Sequence, residues 1–458
     1  MRKVILFAKK FLKALKVFIS RVLADGGIIE AKNYVNSLLK TVTDASLVLI
    51  PSAYKSGVLY SILPEDGTGD FTASRNSVAT RINPIGLIEE VGINVPRIDY
   101  TDGTPVLLTE PQSTNLITYS SDFSDASWSK LESTVSSNTI ASPDGIVNAD
   151  TIIPSVTNIG DHKVEYSFTP IISTFHTITC YVKKAGYESI TMNSGATRLY
   201  ATFNLTSLTI TGLTSNGTDV NQESASITDI GSGWLRLQLT GYWITINANY
   251  VRIIVNENEG TYSSDGESYA GDGTSGIYIW GAQVEQLPYA TSYIPTEGAT
   301  ATRLGELVTD AGDVNTFNSE EGVLFVEMAA LSDLGVSRLL SLNDGSSNNR
   351  ITIEYRDELN AVLFQVHKSG LRILNRVAYF DKTLNNKIAF KYKNSNYAVW
   401  VNGVELISDI LADNLPLNTL NTVSFNGGTD FPFYGKTKQI QVFKTALTDL
   451  ELTELTTL

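Results

Sequence analysis

The stretch SLVLIPSAYKSGVLYSILPEDGTGDFTASRNSVATRINPIGLIEEVGINVPRIDYTDGTPVLLTEPQSTNL, residues 46–116, separates a helical leader from two strand-rich segments. Its first apolar runs, Leu47–Ile50 and Val58–Leu63, are short and rich in branched side chains, and each is bounded by proline or glycine. Such runs are typical of buried strands. The stretch therefore predicts a short β-rich connector over residues 46–111 within a mainly β protein.

Length and charge limit the classes of function. A chain of 458 residues is too long for one hydrophobic core and predicts two or three domains. Its formal net charge is -14, whereas binding to nucleic acid needs clustered Lys and Arg that neutralise phosphates. Because only the N-terminus is basic, the sequence predicts no nucleic-acid partner.

The residues that most often carry chemistry are sparse. Cys180 is the single cysteine, and its setting, ITCYVKK, predicts a buried structural thiol on a strand. His162, His176 and His367 have no Cys or carboxylate neighbours at metal-ligand spacings. We therefore predict no catalytic residue, no metal site and no cofactor.

Three stretches rich in Asp and Gly, residues 65–70, 263–268 and 271–276, are similar to fragments of calcium loops. Hard cations prefer several oxygen ligands from a tight turn. The twelve-residue EF-hand spacing and its terminal Glu are absent, however, which favours plain turns.

The leader, residues 1–45, is basic and apolar, and it predicts amphipathic helices. Apolar residues recur at spacings of three and four up to Ala24, and the glycine pair Gly26 and Gly27 precedes a second stripe in a shifted phase. The expected seam for anchoring and oligomerisation comprises Ile5, Leu12, Leu15, Ile19, Val35 and Leu38.

Three partners for this seam stay open: sister copies in a coiled coil, another protein that takes the helix as a peg, or a membrane surface. Packing of the leader on its own chain is the further alternative. The repeated lysines exclude a transmembrane span and a secretory signal peptide.

The middle segment, residues 112–300, alternates strand-like runs with polar turns. Apolar Leu235, Leu237 and Leu239 alternate with polar residues, so one face of the sheet is expected to be solvated. We predict an antiparallel β-sandwich.

Trp128, Trp243 and Trp400 are candidate platforms for stacking on sugar rings, although packing in the core is the more common role of a strand tryptophan.

The C-terminal segment, residues 301–458, is a regular succession of strands that predicts a second β-sandwich. Its YAVWVNGVEL sequence places Asn402 and Gly403 between two alternating runs, which is a two-residue hairpin signal. The final KQIQVFKTALTDLELTEL predicts a strand followed by a short helix.

Several phrases resemble known families. The succession IPSAYK, GDFTASRNSVATRIN, VPRIDY and LLTEPQSTNLITYSSDFS, over about residues 30–130, resembles head-fibre or spike proteins of tailed bacteriophages. NLITYSSDFSDASWSK and IYIWGAQVEQLPYATSYIPT are similar to carbohydrate-binding-module-like jelly rolls. VWVNG, TVSFNGG and the terminal helix resemble the laminin-G or concanavalin-A-like jelly roll.

These resemblances imply a non-enzymatic structural protein on the external surface of a virion, with the head favoured over the tail. It is expected to be a homotrimer that is held to a capsid or other virion protein by its leader and displays β-sandwiches to host-surface or mucus glycans. A tail fibre or receptor-binding protein is one alternative, and a virion-borne glycan hydrolase is the other. The hydrolase would need paired carboxylates across a groove, and no such signature is recognisable.

Overall fold

The computed structural model describes residues 2–29, 44–195, 198–257, 268–410, 413, 415–428 and 430–458, with the side chains of residues 2–11 left out. The described chain is mainly β, as predicted, with one helix near each end. No helix in the described ranges is long and apolar enough to cross a membrane.

The elements follow one another in chain order. The first part contains α1 (Arg2–Ala24), β1 (Ile28–Ile29), β2 (Ala45–Leu49), β3 (Ala53–Lys55), β4 (Val58–Leu59), β5 (Phe71–Ser74), β6 (Ala79–Ile82), β7 (Ile88–Val91), β8 (Arg97–Asp99), β9 (Val106–Thr109) and β10 (Ser113–Asn115). The middle contains β11 (Trp128–Leu131), β12 (Ser133–Ala141), β13 (Val147–Pro154), β14 (His162–Ser167), β15 (Thr174–Ala185), β16 (Ser189–Ser194), β17 (Leu199–Asn204), β18 (Thr209–Ser215), β19 (Val220–Gly231), β20 (Trp234–Trp243), β21 (Tyr250–Asn256), β22 (Gly276–Glu285) and β23 (Ala301–Arg303). The last part contains β24 (Leu307–Thr309), β25 (Glu321–Ala330), β26 (Arg338–Asn343), β27 (Arg350–Tyr355), β28 (Ala361–Lys368), β29 (Leu371–Tyr379), β30 (Asn386–Lys393), β31 (Tyr397–Val401), β32 (Val404–Asp409), β33 (Thr422–Ser424), β34 (Gly435–Phe443) and α2 (Asp449–Thr456).

The chain forms two compact units that are discontinuous in sequence. Unit 1 comprises residues 1–78, 91–111 and 304–458, and unit 2 comprises residues 79–90 and 112–303. The predicted segment 112–300 lies within unit 2, and the predicted segment 301–458 belongs to unit 1 from residue 304 onward. Residues 46–111 do not form a separate connector, because most of them complete unit 1 and a hairpin from them belongs to unit 2.

Unit 1 is built around an eight-stranded sheet and a five-stranded sheet. The larger sheet has the order β32-β31-β30-β25-β34-β9-β8, with β2 also paired to β34, and the smaller has the order β29-β28-β27-β26-β33. Apolar side chains of both sheets, such as Val326 and Phe364, are fully buried in one core cluster. This arrangement agrees with the predicted β-sandwich.

The connector joins this sandwich through pairing between strands far apart in sequence. β2 pairs antiparallel with β34, which places Leu49 opposite Ile440, and β9 also pairs with β34. Leu47 and Leu49 point into the same core as Ile440 and are fully buried. A strand needs a partner for its backbone groups, and β34 supplies it.

An ion cluster lies buried in unit 1. Arg97 Nη1 is 2.7 Å from Glu110 Oε2, and Arg97 Nη2 is 2.7 Å from Glu306 Oε1. Arg75 Nη1 also contacts Glu306 Oε1, at 2.9 Å, and all four side chains are at most 5% exposed. Burial disfavours the charged guanidinium, but the two glutamates outweigh that effect and raise the pKa of Arg97. The cluster ties β8 and the end of β9 to the segment before β24.

Helix α1 packs on its own unit. Ala14, Phe18 and Val22 are buried in a cluster on the outer face of the eight-stranded sheet, which also includes Trp400 and Leu452. The predicted second leader helix is wrong at its start, because Ile28–Ile29 is a strand paired with β3. Residues 30–43 lie outside the described part of the chain.

Unit 2 is an antiparallel β-sandwich of two six-stranded sheets. Their orders are β11-β14-β21-β16-β17-β18 and β12-β13-β22-β15-β20-β19. The core between them contains residues of both sheets, among them Ile178, Leu237 and Ile253. The prediction for residues 112–300 is confirmed in its architecture.

Two local predictions in the C-terminal segment are confirmed. Asn402 and Gly403 form the turn between β31 and β32 with φ values of 51° and 85°, the left-handed pair that a tight hairpin requires. The terminal helix α2 begins at a capping box, in which Thr448 Oγ1 accepts from the Glu451 backbone N–H.

Candidate functional site

A polar pocket opens in unit 2 where the 121–125 loop meets strands β12 and β13. Its volume is about 180 Å³. Every lining side chain carries an oxygen: Ser121, Asp122, Ser124, Ser137, Asn138, Asn148 and Asp150. We call it the Asp150 pocket.

Asp150 is the buried member of this set, at 1% exposure. One carboxylate oxygen accepts the backbone N–H of Phe123 at 2.8 Å, and the other accepts the backbone N–H of Asn138 at 2.9 Å. Burial raises the pKa of the Asp150 carboxyl above its ordinary value, and the two backbone donors partly offset that rise. Asp150 thus joins two walls of the pocket.

Local sequence determines the backbone conformation of the two walls of the Asp150 pocket. Asp122 Oδ1 accepts the backbone N–H groups of Ser124 and Asp125 at 3.0 and 3.1 Å, which closes the loop as an Asx turn. Asn138 adopts a φ of 55° at an irregularity in the β12–β13 pairing between Ser136 and Ile140. Asparagine tolerates this left-handed conformation better than most residues, and the bulge turns the strand toward the pocket.

The exposed rim and the buried floor offer different chemistry. Ser124, Ser137 and Asn138 are exposed, whereas Asn148 is half-buried and donates from Nδ2 to Asp144 Oδ2 at 3.0 Å. Its buried Oδ1 makes no hydrogen bond within the described chain. Hydroxyls, amides and carboxylates at this density suit a ligand with several hydroxyl groups.

The described residues contain no group of three or more His, Cys, Asp or Glu that could hold a metal ion. Within the Asp- and Gly-rich stretches, the carboxylates of Asp66 and Asp272 accept hydrogen bonds from residues of their own turns. Asp272 Oδ1 accepts the backbone N–H groups of Thr274 and Ser275 at 2.8 and 2.6 Å. Residues 263–267 lie outside the described part.

The three tryptophans named as sugar platforms are buried, and this corrects their sequence assignment. Trp128 is 1% exposed, Trp243 is 0% exposed and Trp400 is 8% exposed. Trp243 lies in the core of unit 2, and Trp400 lies in the cluster covered by α1 and α2. A buried indole has no free face on which a sugar ring could stack.

Trp128 instead supports the Asp150 pocket. Its ring packs against Phe123 at a centroid distance of 4.6 Å, and its Nε1 donates to the Tyr119 carbonyl oxygen at 2.9 Å. Because the Phe123 backbone N–H binds Asp150, the tryptophan holds the 121–125 loop against the sandwich.

Sequence reasoning missed the pocket, since its members are separate polar residues without a spacing signature. It also missed a half-exposed aromatic pair, Phe175 and Tyr242, which face each other on neighbouring strands with ring centroids 5.2 Å apart. Each lies next to an inward-facing residue, His176 or Trp243, on its strand. Because successive side chains of a strand point to opposite faces, this alternation would have placed Phe175 and Tyr242 on the outer face.

The seam residues of the leader are dispersed. Leu12 and Ile19 are 61% and 37% exposed, and Leu15 is half-buried. The side chain of Ile5, together with Val35 and Leu38, lies outside the described residues. The stripe of α1 that faces its own sheet is Ala14, Phe18 and Val22, and Leu15 of the predicted seam packs against the same cluster.

His176, beside Trp243, predicts a pH dependence of stability. Burial lowers its pKa from 6.5 to about 4, and a hydrogen bond with the Thr174 backbone opposes this only in part. The unfolded chain therefore takes up a proton that the folded one excludes. The stabilisation is fully present above pH 6.5 and is lost as the pH falls toward 4, by up to about 3 kcal/mol.

Replacing His176 by Gln should flatten this dependence in unit 2, as measured by urea unfolding with hydrogen exchange in peptides of residues 112–303. His367, whose pKa burial also lowers to about 4, lies in unit 1 and provides the matched control. An equal effect of His367→Gln on unit 2 would contradict the assignment.

Cys180 is fully buried, and burial raises its pKa to about 12. The thiolate is the reactive form of cysteine, so the residue is unsuited to nucleophilic chemistry. This agrees with the structural thiol that the sequence predicts.

No family model and no curated protein matches the chain. Among solved structures, the sialidase CBM40 of Ruminococcus gnavus bound to α2,3-sialyllactose is 18% identical, with a TM-score of 0.27 over 30% of this chain and 83% of that one. Domain 4 of the arabinanase AbnA from Geobacillus stearothermophilus, in complex with arabinotriose, is 15% identical, with a TM-score of 0.28 over 37% and 83%. Domains LG4-5 of the mouse laminin α1 chain are 10% identical, with a TM-score of 0.22 over 64% and 90%. Likenesses with TM-scores this low establish no shared activity.

Proposed function

We propose that this chain is a non-catalytic glycan-binding protein whose Asp150 pocket accepts one sugar unit. The observation that carries the proposal is the pocket itself, in which every lining side chain carries an oxygen. Its volume of about 180 Å³ is below the roughly 300–1,000 Å³ of pockets for drug-sized ligands. It is thus matched to a single sugar ring, whose hydroxyl groups pair with the serine, asparagine and aspartate side chains.

The biological setting belongs to the same proposal. The resemblance of residues 30–130 to head-fibre and spike proteins of tailed bacteriophages supports display on the outer surface of a virion, on the head rather than the tail. A homotrimer held to a capsid or other virion protein is the assembly that this setting predicts. A tail fibre or a virion-borne hydrolase is the alternative.

Filling the pocket tests the proposal. Ser137→Phe places a ring at the exposed rim and should lower glycan affinity at least about tenfold without unfolding unit 2, since the residue is exposed. Glycan-array binding of the full chain identifies a ligand, and calorimetry then compares the variants.

Ser136→Phe is the matched control, because Ser136 is exposed on the same strand and does not line the pocket. Equal losses in both variants, or no glycan bound by the intact chain, would contradict the proposal. Release of reducing sugar from a bound polysaccharide would favour the hydrolase.

A further inference from the structure

Helix α1 presents an apolar stripe to solvent. Leu12, Ile19 and Leu23 are 61%, 37% and 64% exposed. With 3.6 residues per turn, positions seven and eleven residues after Leu12 return to nearly the same side of the helix. The three side chains therefore form one continuous stripe, which we call the outer stripe.

A second side of α1 is fixed to unit 1, so the outer stripe has a defined orientation. Phe18 and Val22 are 2% and 0% exposed. Arg21 donates from Nη2 to the Ser61 carbonyl oxygen at 2.6 Å and to Asp70 Oδ1 at 3.0 Å, and its guanidinium lies over the rings of Phe18 and Tyr60. Asp25, just beyond the helix, binds Lys55 at 2.8 Å and accepts from the Tyr60 hydroxyl.

The charge of this helix is opposite in sign to the net charge of the whole chain. Residues 1–24 contain neither Asp nor Glu, whereas the whole chain has a net charge of -14. Lys16 lies between Leu12 and Ile19 on the helix surface, and both Lys16 and Lys13 are exposed. Arg21 is neutralised internally by Asp70, so the outward charge beside the stripe is that of the lysines.

We propose that the outer stripe lies on an anionic lipid surface, with Leu12, Ile19 and Leu23 in the headgroup boundary and Lys13 and Lys16 among the lipid phosphates. Apolar side chains flanked by lysines on one helix face are the pattern of interfacial binding. A second copy of α1 fits less well, because its lysines would approach lysines of the same charge. This inference does not rest on the glycan proposal.

Vesicle co-sedimentation of the full chain tests the inference. The chain should bind phosphatidylcholine vesicles that contain about 30% phosphatidylglycerol and should not bind phosphatidylcholine alone. Leu12→Ser with Leu23→Ser should reduce the partition coefficient at least about tenfold, since both leucines would otherwise leave water. Lys13→Gln with Lys16→Gln should weaken binding, as should raising the salt from about 0.1 to about 0.5 M.

The matched control is Leu371→Ser with Leu384→Ser, because these leucines of unit 1 are 71% and 61% exposed and lie outside α1. Unchanged vesicle binding in the Leu12 and Leu23 variant would overturn the inference, and so would equal binding to neutral vesicles. Light scattering that shows an oligomer of the wild type, but a monomer of that variant, would identify a second copy as the occupant and also overturn it.

Discussion

Replacing Arg97 by Met should lower the free energy of unfolding of unit 1 by about 3–5 kcal/mol. Arg97 is 0% exposed and contacts Glu110 and Glu306, so its removal leaves two glutamates in a buried site with less compensating charge. The measurement is urea-induced unfolding, followed by hydrogen exchange in peptides of residues 304–458, which report unit 1 alone.

Lys393→Met is the matched control. Lys393 pairs with Glu321 at 2.8 Å in the same unit, but the two side chains are 48% and 29% exposed. Pairs of this kind contribute about 0–1 kcal/mol. Comparable losses in the two variants would show that the buried cluster has no special part in holding β8 and β9.

Phe18→Ser should detach α1 from unit 1, whereas Leu12→Ser should leave it docked. Phe18 is 2% exposed within the apolar cluster, and truncating a buried phenylalanine costs about 3–5 kcal/mol. Leu12 is 61% exposed, so its substitution should change stability by no more than about 0.5 kcal/mol.

Hydrogen exchange of the α1 amides measures this difference directly. We expect much faster exchange in Phe18→Ser and wild-type protection in Leu12→Ser. Similar exchange in the two variants would mean that the helix is not held by its inward stripe. The vesicle experiment depends on the same distinction, because its leucine variant must keep the helix in place.

Local patterns predicted local structure well. The run TITCYVKK lies within β15, Asn402 and Gly403 form the predicted turn, and the last apolar residues form α2. The turn and the capping box are formed by residues close in sequence, so turn chemistry and capping are sufficient to predict them. The strand could be recognised from its composition and length, although its partners β20 and β22 lie far along the chain.

Pairing between strands that are far apart in sequence could not be predicted from local patterns. Nothing in residues 45–49 shows that their partner is β34, and the connector consequently looked independent. Helix α1 carries two apolar stripes, and the pattern does not say which faces the sheet. Trp400 lies on a strand that is buried on both faces, and the sequence does not distinguish such a strand from a half-exposed one. The polar pocket depends on one loop and on a bulge in β12, which meet only in the folded chain.

The pairing of β2 with β34 also bears on the order of events during synthesis. Residues 45–49 leave the ribosome long before their partner strand, which ends at residue 443. Unit 2 has all of its strands once residue 303 has emerged. Domains generally fold as units as they are made, and closing so long a loop is slow. The inserted sandwich is therefore expected to fold before β2 pairs with β34 and the apolar side chains of β2 become covered.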